Sequence, residues 1–245
     1  METTKTLNAK TELIDPSIAN VNPEQCNLSI LFQKDGLVFS VLRNGLDKYI
    51  VLGEYVSNAT TPDYPALFAF KNQLQGNFAA VQLGFFTPKF TLVPLSLFNT
   101  QDLATYAKFQ FTTAADEVLR VDELTTHGLA IVYALPTTLA KFCDDLFGKH
   151  VLRHAAYFSI CHYLNQYKNK PGEHLHANIW RNQVDVTVVK NGKLILSNGY
   201  AFETDEDVLY FLLNIYEQLA LNPETVPLKL SGEIAKDTKR WQLLQ

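Results

Sequence analysis

The sequence predicts an α/β protein with mixed sheets flanked by helices, built from two related βββαβ units. Three observations predict it: a segment that recurs without a gap, hairpin turns at matching places in both copies, and an amphipathic helix after the second copy. Leu28 to Gly45 aligns on Leu175 to Gly192, an offset of 175 − 28 = 147. Lys34-Asp35 falls on Arg181-Asn182, Phe39 on Val186, Ser40 on Thr187, and Arg43-Asn44-Gly45 on Lys190-Asn191-Gly192. A repeat of this kind is the first thing to look for, because it fixes the organisation of the chain.

Each copy opens with a strand, a tight turn and a second strand. Asn-Gly then follows, the pair that a two-residue type I′ hairpin prefers because both central residues take positive φ. Third strands are expected at Lys48 to Val56 and Lys193 to Tyr200, each leading to a helix that opens at Thr61-Pro62 or at Thr204. Thr204 with Asp207 three residues on forms a capping box, hydroxyl and carboxylate satisfying amides that the first helical turn leaves free. Val208, Phe211, Leu212, Ile215 and Leu219 give that helix one apolar stripe. Closing strands are expected at Phe78 to Phe85 and Val226 to Ser231, with Ala80 to Gly84 falling on Leu228 to Gly232 at an offset of 228 − 80 = 148.

Between the copies, Glu117 to Leu124 and Leu129 to Ala134 read as strands. A helix follows from Pro136, with Leu139, Phe142, Cys143, Leu146 and Phe147 on one face and Gly148 as its stop. His150 to Ala155 reads as a strand, with His150 and His154 as surface or capping groups, and Ala156 to Lys168 as a helix. Lys170-Pro171-Gly172 is the expected hinge between halves.

The 245 residues are 47% hydrophobic and 19% charged, enough to bury a large core. A net charge of -4 weighs against broad affinity for nucleic acid or anionic membrane, which needs a concentrated basic surface. Residues 1–27 are polar and lack the apolar core of a secretory signal, and no apolar run reaches the ~20 residues that span a bilayer. Direct membrane insertion is therefore not expected. Cys26, Cys143 and Cys161 are scattered and odd in number, as reduced thiols in the cytoplasm would be. Aromatic residues crowd the stretch from Phe68 to Phe98 but interleave with Leu, Val and Ala, which is core composition rather than a stacking platform for bases. Phe85 to Phe90 is the segment where an exposed apolar patch would mark a protein interface.

In its element order, and in the stretch from Leu129-Ala-Ile-Val-Tyr-Ala-Leu-Pro136 through Phe147-Gly148 to His154-Ala-Ala, the chain resembles the actin-like ATPase superfold. In that superfold two ribonuclease H-like subdomains face each other across a nucleotide cleft. The same stretch is distantly similar to actin-like pilus-assembly and type II secretion platform proteins. Over roughly residues 28 to 235, the chain resembles an uncharacterised bacterial family, a domain of unknown function with an actin-like fold. The polarity of residues 1–27 suggests an arm, and the resemblance implies a first ribonuclease H-like subdomain with inserted or bridging elements at 28–171 and a second at 172–245.

Active members of the superfold carry an acidic residue on the first strand of each half and a glycine-rich turn after it, to hold metal and phosphate. Here the first turn reads Lys34-Asp35-Gly36, which also suits an ordinary hairpin. The second reads Trp180-Arg181-Asn182, with no glycine and an indole where phosphate would approach. The superfold's adenosine-contact strand ends in paired glycines, of which Ser231-Gly232 keeps one. Ser29 and His176 stand where the first strands would carry Asp, and Asp185 is expected on a solvated strand face.

His174 and His176, at i and i+2, share one face of a strand and would bind a metal if Glu173, Asp185 or His162 converged on them. No Ser-His-Asp or Cys-His arrangement emerges. The favoured reading is a non-catalytic scaffold or protein-binding module with degenerate phosphate turns, no cofactor, and an unknown protein partner. The alternative is a nucleotide-binding protein or slow ATPase taking ATP with magnesium, with Lys34, Asp35, Gly36, Arg181, Asn182, Ser231 and Gly232 lining the cleft. A third reading is a metal-dependent enzyme around His174 and His176.

Overall fold

The computed structural model describes residues 8–57, 76–147 and 152–245. In chain order the elements are β1 (Asn8–Ile14), β2 (Cys26–Gln33), β3 (Gly36–Arg43), β4 (Lys48–Val56), β5 (Ala80–Phe85) and β6 (Phe90–Pro94). Helix α1 (Leu103–Gln110), β7 (Glu117–Leu124), β8 (Leu129–Pro136), α2 (Thr137–Phe147), β9 (Leu152–His154) and α3 (Ala155–Tyr167) follow. The last part holds β10 (Glu173–Trp180), β11 (Gln183–Lys190), β12 (Lys193–Ala201), α4 (Asp205–Gln218), β13 (Leu228–Gly232) and α5 (Lys239–Leu243). The helix expected at Thr61-Pro62 lies outside the described residues.

Strands β4-β3-β2-β5 and β12-β11-β10-β13 have the same order. In each set the first three strands pair antiparallel and the last runs parallel to the first in sequence. Even the irregularities match: a bulge follows Val41 in one set and Val188 in the other. The register corrects one expected alignment. Leu28 lies opposite Val81 and Leu175 opposite Leu228, so the closing strands correspond at 228 − 81 = 147, the offset of the opening strands, and not at 148. A slip of one would have exchanged the faces of the strand.

The hairpin turns differ. Asn191 and Gly192 take φ of 50° and 74° in a two-residue connection, as expected. After Arg43, four residues separate β3 from β4, and positive φ falls on Gly45 and Asp47 instead.

The chain forms two compact units, each gathered from several segments. One contains residues up to Phe86, with 114–118 and 134–155; the other contains 87–113, 119–133 and 156–245. Lys170-Pro171-Gly172 lies inside the second unit, where it links α3 to β10. It is a tied turn: the Gly172 amide donates to Asn191 Oδ1 (2.8 Å), and the Asn191 amide donates to the Gly172 carbonyl (3.0 Å).

In the first unit a six-stranded sheet runs β1-β4-β3-β2-β5-β9. Residues 8–14, expected as part of a polar arm, form its edge strand: β1 pairs antiparallel with β4, and Lys10 bridges to Glu54 (2.9 Å). Leu28, Ile30, Phe32, Leu37, Phe39 and Leu83 are buried in its core. His154, expected at the surface, is fully buried because β9 inserts beside β5. The apolar face of α2 buries Leu139, Ala140 and Cys143, while Leu146 is left exposed.

In the second unit one face of the four-stranded sheet, carrying Leu175, Ala177, Ile179, Val184, Val186 and Val188, packs with Val208, Leu212 and Ile215 of α4. The capping box at Thr204 and Asp207 is present in both directions. Phe86 and Phe90 are buried, so the segment from Phe85 to Phe90 offers no exposed apolar patch. No described helix is long and apolar enough to cross a membrane.

Candidate functional site

Strand alternation puts His174, His176, Asn178 and Trp180 of β10 on the sheet face away from α4, since Leu175, Ala177 and Ile179 face its core. The register adds Asp185 beside Asn178 and Thr187 beside His176 on one side, and Lys229 beside His176 and Ser231 beside Asn178 on the other. Helix α3 covers part of this polar face with two tyrosines four residues apart, a spacing that shares one helix face.

The tyrosines meet the histidines ring on ring. Tyr163 stacks on His176 with centroids 3.9 Å apart, and Tyr167 on His174 at 3.8 Å. The Tyr167 hydroxyl lies 2.9 Å from His176 Nε2 and accepts from Lys229 Nζ at 2.7 Å. Burial and then the nearby Lys229 push the His176 ring down to about 4, and the same two causes lower His174. The Tyr167 hydroxyl thus links the His176 ring to the ammonium of Lys229. Ser231 Oγ donates to Asn178 Oδ1 at 3.0 Å and also bonds the Tyr163 hydroxyl. Burial raises the Tyr163 phenol, and the Ser231 contact offsets part of that rise.

The histidines thus spend their ring faces on tyrosines. Among the described residues no group of three or more His, Cys, Asp or Glu side chains is placed to hold a metal ion. Glu173 is drawn to Lys190 (2.8 Å), and His162 packs edge-on against Tyr163.

Asp185 departs from the expected solvated face. It is 8% exposed, and its Oδ2 is shielded with no hydrogen-bond partner among the described residues. Burial alone pushes its carboxyl well above the usual carboxylate range. Gly199 lies opposite it on β12, and Pro88 and Phe90 lie against that glycine.

The residues expected to line a nucleotide cleft are placed as follows. Lys34 is exposed and Asp35 half-buried in a two-residue turn, and the Ser57 amide donates to the Asp35 carbonyl (2.7 Å). Gly36 is explained by strand packing, since a Cβ there would overlap the Tyr55 carbonyl oxygen of β4. Arg181 takes φ of 35° in the corresponding turn of the second unit, and its backbone amide donates to Glu233 Oε2 at 3.2 Å. Asn182 is exposed and accepts from the Phe202 amide through its carbonyl (2.8 Å).

Ser231 and Gly232 end β13. Gly232, at φ of 88°, lies so close to β10 that a Cβ would overlap the Ile179 carbonyl oxygen. The Glu233 amide then donates to that carbonyl at 2.7 Å, which brings the Glu233 side chain to the turn. A phosphate approaching the Arg181 amide would meet a carboxylate already there. In the second unit, then, the Arg181 amide is already engaged by a carboxylate of the same chain.

Tyr163, Tyr167, Lys229 and Glu233 were not legible as site residues. The tyrosine spacing on α3, set against the i, i+2 spacing of the histidines, was the available signal.

Repeated four-stranded cores flanked by helices define the class, and comparison with solved structures agrees. The chain is similar to a Bacteroides thetaiotaomicron VPI-5482 protein with actin-like ATPase fold and unknown function, at 20% identity and a TM-score of 0.80, over 90% of this chain and 86% of that one. It is also similar to a chain of the PilM-PilN type IV pilus biogenesis complex, at 12% identity and a TM-score of 0.54, over 91% of this chain and 85% of that one. The fold is the actin-like ATPase fold.

Residues 15–245 match the family described as a protein of unknown function, DUF3822, and the chain belongs to that family. No curated protein matches it.

Proposed function

We propose that this protein is a non-catalytic member of the actin-like fold that works by binding a protein partner in the cytoplasm. One observation carries the reading: in the second unit, the backbone amide of the turn where this superfold meets phosphate is taken by Glu233 of the same chain, at Arg181 N to Glu233 Oε2 3.2 Å. Trp180, half-buried at the start of that turn, adds bulk where an anion would enter. The glycines that sequence alone assigns to a nucleotide, Gly36 and Gly232, are accounted for by close strand contacts. The similarity to a chain of the PilM-PilN complex supports an assembly role, since that relative is known in a complex. The three cysteines are free thiols, in keeping with a reducing compartment.

The test is phosphate release from magnesium-ATP, measured for the wild type and for Glu233→Gln. No release above background is expected from the wild type. Turnover that Lys34→Ala abolishes would replace this reading with a slow ATPase using divergent turns.

A further inference from the structure

The two four-stranded sets differ at one edge. In the first unit β9 continues the sheet beyond β5 as a parallel strand, with Leu152 opposite Leu83, Arg153 opposite Gly84 and His154 opposite Phe85. Leu152 and His154 are buried there. In the second unit β13 ends the sheet. Among the described residues no strand pairs with its outer side, and Ser231 and Gly232 are exposed where their counterparts Gly84 and Phe85 are buried. An unpaired edge is a row of backbone donors and acceptors ready for an extended segment. Nothing in β13 blunts it: its pairing with β10 has no bulge, it contains no proline, and its lysine turns back to the Tyr167 hydroxyl.

The surroundings of that edge carry positive charge that has no carboxylate partner among the described residues. Lys229 and Lys170 lie 5.0 and 5.4 Å from the centroid of the Tyr167 ring. Neither ammonium has a carboxylate partner among the described residues, and Glu173 is held by Lys190. Burial and the field of Lys229 lower both His174 and His176, so the charge offered to an arriving carboxylate is that of the ammoniums. The opposite edge, β12, is the poorer candidate, because Pro88 and Phe90 already lie against its Gly199.

We propose that the outer edge of β13 receives an extended segment of a partner protein as a fifth, parallel strand, with an acidic side chain set against Lys229. Strand β9 is the template. It places apolar or buried residues opposite the equivalents of Leu230 and Gly232, and its middle residue opposite the equivalent of Ser231, on the face that Lys229 shares. An acidic residue at that middle position meets the unneutralised charge. The choice of a protein as occupant rests on the protein-binding reading above.

The probe is a fluorescein-labelled peptide, His-Val-Leu-Glu-His-Ala-Ala, which is residues 150–156 with glutamate at the Arg153 position; the unaltered sequence is its comparator. Anisotropy titrations with the full chain should show saturable binding, with the acidic peptide ahead by about two- to fivefold, the range an exposed ion pair supplies. Lys229→Glu should reverse that order, and Lys229→Gln, which only removes the charge, should abolish it and serves if the first variant folds poorly. Amides of residues 228–232 should gain hydrogen-exchange protection with the peptide.

No binding at millimolar chain would overturn the proposal, as would binding that leaves 228–232 unprotected or ignores both Lys229 variants. A concentration-dependent dimer that protects 228–232 without peptide would assign the edge to a second copy and overturn it too. Phosphate release from magnesium-ATP would remove the non-catalytic reading yet leave the peptide result standing, so the two failures are distinguishable.

Discussion

Replacing Asp185 with Asn keeps the shape of a buried side chain and removes its proton equilibrium. In the unfolded chain an aspartate titrates near 3.9, whereas burial without a partner holds the folded carboxyl well above that range. Below about pH 4 both states carry the proton, and the wild type keeps its full stability. As pH rises, the unfolded chain releases a proton that the folded protein retains, and unfolding gains about 1.4 kcal/mol for each pH unit until the folded group ionises as well.

The Asn variant has no such slope at this position, and other titrating groups cancel in the comparison. Urea unfolding of both proteins at steps of one pH unit above about pH 4.5 should therefore show the variant gaining about 1.4 kcal/mol on the wild type per step. Thermal midpoints should separate by about 3–6 °C per step for a chain of this size. A difference independent of pH would refute the reasoning, because it would mean that the folded carboxyl titrates as it does in the unfolded chain.

Tyr167→Phe removes the hydroxyl that joins Lys229 to His176, leaving a buried ring nitrogen unsatisfied, and should cost about 1–3 kcal/mol in denaturant unfolding. By NMR, the His176 ring should titrate at about 4 in the wild type, and Lys229→Gln should move that midpoint upward, since the lysine is the second cause of the depression. Gly232→Ala should destabilise by about 1–3 kcal/mol or more, because it combines a left-handed backbone with a collision against Ile179. Thr204→Ala removes one half of the capping box of α4 and should cost about 1 kcal/mol, read as a lowered urea midpoint with an unchanged slope.

Much of the fold was legible because it is written in periodicity. The repeated segment and its hairpin turns marked β2, β3, β10 and β11, the 3.6 period marked α4, and the offset of 147 joined the two sets. What failed depended on partners distant in sequence. Asp185 reads as a surface residue on its own strand, whereas in the fold it is buried opposite Gly199, against which Pro88 and Phe90 lie. His154 is buried by its pairing with β5, which no local pattern announces. The one-residue error in the closing strands came from matching similar side chains at a place where the ladder, and not composition, sets the register.

For the candidate site, strand spacing placed His174 and His176 on one face, but their stacking on Tyr163 and Tyr167 required knowing which helix lies over them. Glu233 was invisible as a turn ligand because it reaches Arg181 only through the crossover of β13 beside β10.

The central claim, that the superfold's nucleotide chemistry is closed in this chain, is tested most directly by thermal unfolding of the intact protein with and without millimolar magnesium-ATP. A ligand at about a hundredfold over its dissociation constant adds roughly 2.7 kcal/mol, or about 5–10 °C in midpoint for a chain of this size. The account predicts no shift for the wild type. A rise of that size would contradict it and would show that nucleotide is held in spite of Glu233.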